Sequence, residues 1–86
     1  MKTLATAELT VRVISTYSTH FSAKARSVSA TNAQGPFDVL PGHINFFSIL
    51  KTGQLQIDRG GQKVQIPLQS GIMKVSHNSV TVFINL

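Results

Sequence analysis

Three histidines, three carboxylates and a supply of serines and threonines are the residues of this 86-residue chain that could do chemistry. A nucleophilic triad needs a nucleophile, a base and an orienting group, but no serine stands in a Gly-x-Ser-x-Gly elbow between a strand and a helix. His20, His43 and His77 lie far apart and show none of the short spacings of zinc ligands. The chain has no cysteine, which removes a thiol nucleophile, a Cys-ligated metal and a disulfide scaffold. Glu8, Asp38 and Asp58 are the only acids, too thin a supply for paired-carboxylate chemistry. Gly60-Gly61 could be mistaken for a phosphate-cradling loop, yet such loops open a helix, and these glycines sit between two alternating apolar runs. The expectation is no catalytic residue, no metal, no cofactor and no small-molecule substrate.

A formal net charge of +5 and a pI near 10.3 raise nucleic acid as a partner, since phosphate attraction supplies most non-specific binding. The eight bases are spread along the chain without forming a run. A single-strand binder also needs exposed aromatic platforms among its bases. Phe21 belongs to the apolar face of its run, and Phe46-Phe47 to the most apolar stretch, so no nucleic acid is expected. The alternative drawn from the same charge is a free-standing basic β-sandwich or barrel that binds an acidic protein or nucleic acid.

The elements that must position these residues are strands. Hydrophobic residues make up 42% and charged residues 13%, too apolar for a disordered tail and too weakly charged for a coiled coil. Leu9, Val11 and Val13 alternate with Thr10 and Arg12, the period of a strand with one buried face. Phe21, Ala23 and Ala25 alternate likewise, and the apolar set then changes parity to Val28 and Ala30. A parity change inside one extended run signals a β-bulge or a strand crossing between sheets. Leu55 and Ile57, then Val64, Ile66 and Leu68, flank Arg59-Gly60-Gly61-Gln62 as a hairpin. A second hairpin joins Ile72–Val75 to Val80–Ile84 through Ser76-His77-Asn78-Ser79, with Phe83 off the polar face and marking a side that is covered too.

Ile44, Phe47 and Leu50 have helical spacing, but the stretch is short and bracketed by Pro41-Gly42 and Gly53, which favours a strand or tight turn. Short strands with turn signals every eight to twelve residues indicate an all-β sandwich or barrel, as a single domain over residues 1–86; of the two, a two-sheet β-sandwich of short, mostly antiparallel strands is the expectation. No stretch approaches the ~20 apolar residues of a spanning helix. The N-terminal run Met1–Ala7 is broken by Glu8 and Arg12 before an export signal could develop, so the chain is read as soluble and cytoplasmic.

One segment stands out. Gly35-Pro36-Phe37-Asp38-Val39-Leu40-Pro41-Gly42-His43 packs two prolines and two glycines around a short apolar strand. Pro41-Gly42 suits the central positions of a type II turn, with glycine taking φ > 0. His43 would then be held at a fixed corner.

That corner resembles the Pro-Gly-His segment of the N-terminal β-sandwich domain of F-type ATP synthase epsilon subunits. Leu50-Lys51-Thr52-Gly53-Gln54-Leu55-Gln56-Ile57 is similar to the family's Leu-Lys-Pro-Gly and following strand. Ser70-Gly71-Ile72-Met73-Lys74-Val75 resembles its Ser-Gly-Gly-Phe/Ile-Leu-Glu-Val, and Asn78-Ser79-Val80-Thr81-Val82 its Asn-x-Val-Thr-Val strand. The resemblance implies a non-catalytic rotor part at the foot of the central stalk, packed on the gamma subunit and the c-ring. It would couple ring rotation to ATP synthesis on the cytoplasmic face of a bacterial inner membrane.

Carried over by position, the loop Asn32, Ala33, Gln34, Gly35 and Pro36 would face the c-ring. Pro41, Gly42, His43 and Ser48 would lie on or near the gamma-facing side. The family commonly carries an acid where Pro36 stands, whereas this chain has no carboxylate between Glu8 and Asp38. Ser70 takes a position the family leaves without a side chain, and the usual proline after the first strand is absent from Ser15-Thr16-Tyr17. The sequence ends at Leu86, where typical members continue into two C-terminal helices that inhibit hydrolysis; the expectation is an epsilon-type sandwich without them. An isolated sandwich with unpaired edge strands is also expected to form a homodimer on occasion.

Overall fold

A computed structural model describes residues 7–85. Most of the N-terminal run weighed above as an export signal, and both ends of the expected 1–86 domain, lie outside the described residues. The described chain has nine strands: β1 (Leu9–Ile14), β2 (Thr19–Ala25), β3 (Ser27–Asn32), β4 (Gly35–Val39), β5 (Phe46–Leu50), β6 (Gly53–Asp58), β7 (Lys63–Leu68), β8 (Ser70–Ser76) and β9 (Ser79–Asn85). They form a five-stranded sheet, β2-β1-β9-β8-β5, and a four-stranded sheet, β4-β3-β6-β7. Every pairing is antiparallel except β1 with β9, which is parallel.

The alternating residues behave as their period requires. Leu9, Val11 and Val13 of β1 face inward with Val80, Val82 and Ile84 of β9 and Met73 and Val75 of β8. They meet Val28, Ala30, Val39, Leu55, Ile57 and Leu68 from the four-stranded sheet in one apolar layer. Burying each such Val, Leu or Ile contributes about 1.5–3 kcal/mol, and this layer holds the sheets together in place of any covalent staple.

The parity change between Ala25 and Val28 is a crossing between sheets. Ala25 ends β2 in the five-stranded sheet, Ser27 begins β3 in the four-stranded sheet, and the intervening Arg26 amide donates to the Asp58 carbonyl at 2.7 Å. The glycine-rich hairpin is β6–β7, in register from Gly53↔Leu68 to Asp58↔Lys63, with Gly60 at φ 90° and Gly61 at φ 143°. The β8–β9 hairpin closes on two residues of positive φ, His77 at 51° and Asn78 at 61°. Both signs suit a primed turn whose twist matches the flanking strands. The Ile44–Leu50 stretch becomes strand β5 from Phe46 onward: it pairs along its whole length with β8.

Gly71 needs its missing side chain. A Cβ there would lie 2.7 Å from the Phe83 carbonyl oxygen on the neighbouring strand. The adjacent Ser70 is exposed, so its side chain is accommodated by solvent where the expected glycine pair is broken.

Candidate interaction surface

The Pro-Gly-His corner is built by its turn chemistry and locked by its neighbours. The His43 amide donates to the Leu40 carbonyl at 3.1 Å, and Gly42 has φ 87°, the type II geometry expected for Pro41-Gly42. The Gly42 amide donates to Asn78 Oδ1 at 2.7 Å, and the His77 amide donates to Asn45 Oδ1 at 3.0 Å. These two reciprocal bonds clamp the corner onto the β8–β9 turn. The half-buried His43 ring lies 4.8 Å from the Phe46 ring and its Nδ1 is 2.9 Å from the Ile44 carbonyl, so the nitrogen bonded there is the donor. Phe46 also meets Phe37 edge-on at 6.0 Å, closing the sandwich between the edge strands β4 and β5.

The loop Asn32–Pro36 turns β3 into β4. Asn32 Oδ1 accepts from the Gln34 amide at 2.9 Å, so the side chain itself shapes the turn, and Gly35 takes φ 121°. Ala33, Gln34 and Pro36 are exposed. Asn32 Nδ2 donates to Ser48 Oγ at 3.1 Å, joining two residues that sequence position had assigned to different partner surfaces. Ser48 points into the protein at 9% exposure; what it can do is hold the loop against β5. Pro41, Gly42 and His43 stay together at the corner that feeds β5, and the Asn32–Gln34 tip sits beside that strand's outer residues, lining a shallow groove with Phe47, Ile49 and Ile72.

Sequence reasoning missed the outer face of the five-stranded sheet. Ile49 pairs with Ile72, Ile72 with Phe83, and Phe83 with Ile14, so four apolar side chains form one row across β5, β8, β9 and β1. Ile49 is 76% exposed and Phe47, two residues earlier on the same face, is 73% exposed. Phe83 therefore departs from the polar pattern on a side that the chain leaves half open, not covered. Phe47, discounted as an exposed aromatic because it belongs to the most apolar stretch, does lie outside: Phe46 and Phe47 occupy opposite parities of β5, and the inward slot goes to Phe46. The available signal was the apolar run Phe46–Leu50, interrupted only by Ser48, which puts apolar groups on both faces of one strand.

Of the three histidines, His20 bonds Ser15 and Ser18 in the β1–β2 turn region, while His43 at the corner and His77, beside Ser76 in the β8–β9 turn, stand on the two loops that the clamp joins. Among the described residues, no group of three or more His, Cys, Asp or Glu side chains could hold a metal ion. Also among the described residues, no helix is long and apolar enough to cross a membrane.

With this geometry in view, comparison with known proteins places the chain. It matches the family described as ATP synthase, Delta/Epsilon chain, beta-sandwich domain, over residues 8–85. It is 36% identical over 77 residues to the ATP synthase epsilon chain of Geobacter sulfurreducens, covering 90% of this chain and 56% of that protein. The ATP synthase epsilon chain of Synechococcus elongatus gives the same identity and coverage. This chain thus spans little more than half the length of those relatives.

Among solved structures, it superposes on a chain of the Euglena gracilis mitochondrial ATP synthase with a TM-score of 0.84 at 20% identity, covering 91% of this chain and 51% of that one. A chain of the Tetrahymena thermophila mitochondrial ATP synthase central stalk and c-ring gives a TM-score of 0.77 at 13% identity, covering 91% and 63%. At these identities the two superpositions speak for the fold alone. The fold, the corner and the match across almost every described residue together make this chain a member of the ATP synthase delta/epsilon family, carrying its β-sandwich domain.

Proposed function

We propose that the chain serves as the sandwich part of an epsilon-type central-stalk subunit in a proton-translocating F-type ATP synthase. It would be a non-catalytic component that packs on gamma and on the c-ring, peripheral to the membrane through the complex. The family match across residues 8–85 carries this reading. The scarce acids support a mechanical role over a chemical one.

In this reading the exposed tip Ala33-Gln34 with Pro36 meets the c-ring, and the Pro41-Gly42-His43 corner turns toward gamma. Ser48 acts from behind, through its bond with Asn32. With no acid at Pro36, contact with the ring is made by backbone, amide and apolar groups in place of an ion pair. The rigidity of the corner suits transmission of torque, because the Gly42–Asn78 and His77–Asn45 bonds couple two loops that would otherwise move independently.

The test is co-expression with an F-type ATP synthase gamma subunit from the same genome. Co-purification of a stoichiometric complex is expected, and failure of soluble gamma to bind at micromolar concentration would count against the proposal. Calorimetry of the isolated chain with ATP should show no saturable heat.

A further inference from the structure

We infer that the outer face of the five-stranded sheet docks an acidic, amphipathic segment of a protein partner, presenting an apolar ridge flanked by carboxylates. Two adjacent cross-strand rows carry the inference. The first is the apolar row Ile49–Ile72–Phe83–Ile14. The second, two residues away along each strand, is Phe47–Lys74–Thr81–Arg12–Ser22, and Lys24 follows in the next row, opposite Thr10. Arg12, Lys24 and Lys74 are all exposed.

Asp38 and Asp58 lie in β4 and β6 of the other sheet, and the carboxylate side chain nearest this face is Glu8, exposed at its edge just before β1. Lys24 is bonded to the Thr10 hydroxyl at 2.9 Å, a neutral partner. The face thus combines open apolar area with three exposed cations against one carboxylate at its edge, and the complement of that pattern is apolar and anionic.

The spacing fits a helix laid along the rows. Strands are about 4.8 Å apart, close to the ~5.4 Å rise of one helical turn. Apolar residues at i, i+3 or i+4 and i+7 would follow the first row. Carboxylates about seven residues apart on one flank would reach Lys74 and Arg12, which are separated by the single strand β9. A second copy docked by the same face would bring the cations together and is disfavoured. Single-stranded nucleic acid fits less well: Ile49, Ile72 and Ile14 offer bases no aromatic plane, and Phe47 and Phe83 stand in different rows.

The inference rests on the rotor reading only in naming gamma as the first partner to try. The experiment measures binding of the chain, and of Arg12→Glu/Lys74→Glu and Phe47→Ser/Ile49→Ser variants, to three probes. These are an F-type ATP synthase gamma subunit from the same genome, a helical peptide with a leucine ridge and glutamate flanks beside its lysine-flanked counterpart, and oligo-dT. Circular dichroism verifies the fold of each variant, and Lys63→Glu on the opposite sheet serves as control.

Gamma binding that falls about tenfold or more in both double variants, with Lys63→Glu unchanged, is the expected result. Gamma binding indifferent to both variants overturns the inference and leaves the rotor reading intact. Binding of the glutamate-flanked peptide in preference to its lysine counterpart, with no binding of gamma, upholds the inference and removes the rotor reading. Failure of both gamma and peptide, or salt-sensitive binding of oligo-dT in their place, overturns it.

Discussion

Asp38, Ser29, Gln56 and Gln65 stand side by side across the outer face of the four-stranded sheet, as Ile49, Ile72, Phe83 and Ile14 do across the outer face of the five-stranded one. The polar row closes on itself: Ser29 Oγ donates to Asp38 at 2.6 Å, and Gln65 donates to Gln56 at 3.2 Å. Among the described residues, the apolar row has nothing comparable to complete it. A surface whose groups satisfy one another can face water indefinitely, whereas an open apolar row beside exposed cations gains free energy only when something covers it. The two sheets share one core, so their difference is a difference of outward role.

The comparison fails first if the inner faces are not equivalent. Met73→Ala in the five-stranded sheet and Leu55→Ala in the four-stranded sheet remove fully buried side chains. Each should cost about 2–5 kcal/mol, measured by urea unfolding, and a value near zero for either would mean that sheet contributes little to the core. Next in size is Gly71→Ala, which forces a methyl group against the Phe83 carbonyl and should cost about 2 kcal/mol, with loss of β8–β9 amide protection in hydrogen exchange.

Asn78→Ala removes both a residue tolerant of positive φ and the acceptor for the Gly42 amide. It should lower stability by about 1–2 kcal/mol and loosen the Pro-Gly-His corner, visible as faster exchange at Gly42. The smallest effects separate the two outer faces. Asp38→Ala should cost about 0.5 kcal/mol by breaking the bond to Ser29, while Ile49→Ser should leave the melting temperature unchanged and reduce binding of a hydrophobic dye. Equal responses at these two positions would erase the distinction between the faces.

Much of the fold was legible because strands with one buried face write their period into the chain. Leu9-Val11-Val13 and Leu55-Ile57 read directly as core, and the parity change after Ala25 signalled either a bulge or a crossing, of which the β2–β3 step is the crossing. Pro41-Gly42 declared its turn type, since proline presets φ and glycine alone accepts the next residue's positive φ without cost. The turn at His77-Asn78 was placed, but its two positive φ values were not, because histidine carries no strong turn preference.

The candidate surface was half legible. The corner and the Asn32–Pro36 loop could be named from the resemblance, but Ser48 was placed with the surface although it lies inside, bonded to Asn32. Inward and outward differ by a single step of parity in β5, and the one polar residue of that run, Ser48, takes the inward parity where its polarity alone would put it outside.

By itself, the sequence determined the strand period, the turn positions, the absence of cysteine and the scarcity of acids, because each is a property of one residue or of its near neighbours. Only the tertiary structure decided that Ile49, Ile72, Phe83 and Ile14, from four different strands, share one row, and that Arg12, Lys24 and Lys74 lie beside it with one carboxylate, Glu8, at the edge of the face. Adjacency across a sheet is set by strand order and register, and these come from packing the shared core as a whole rather than from any local stretch of chain.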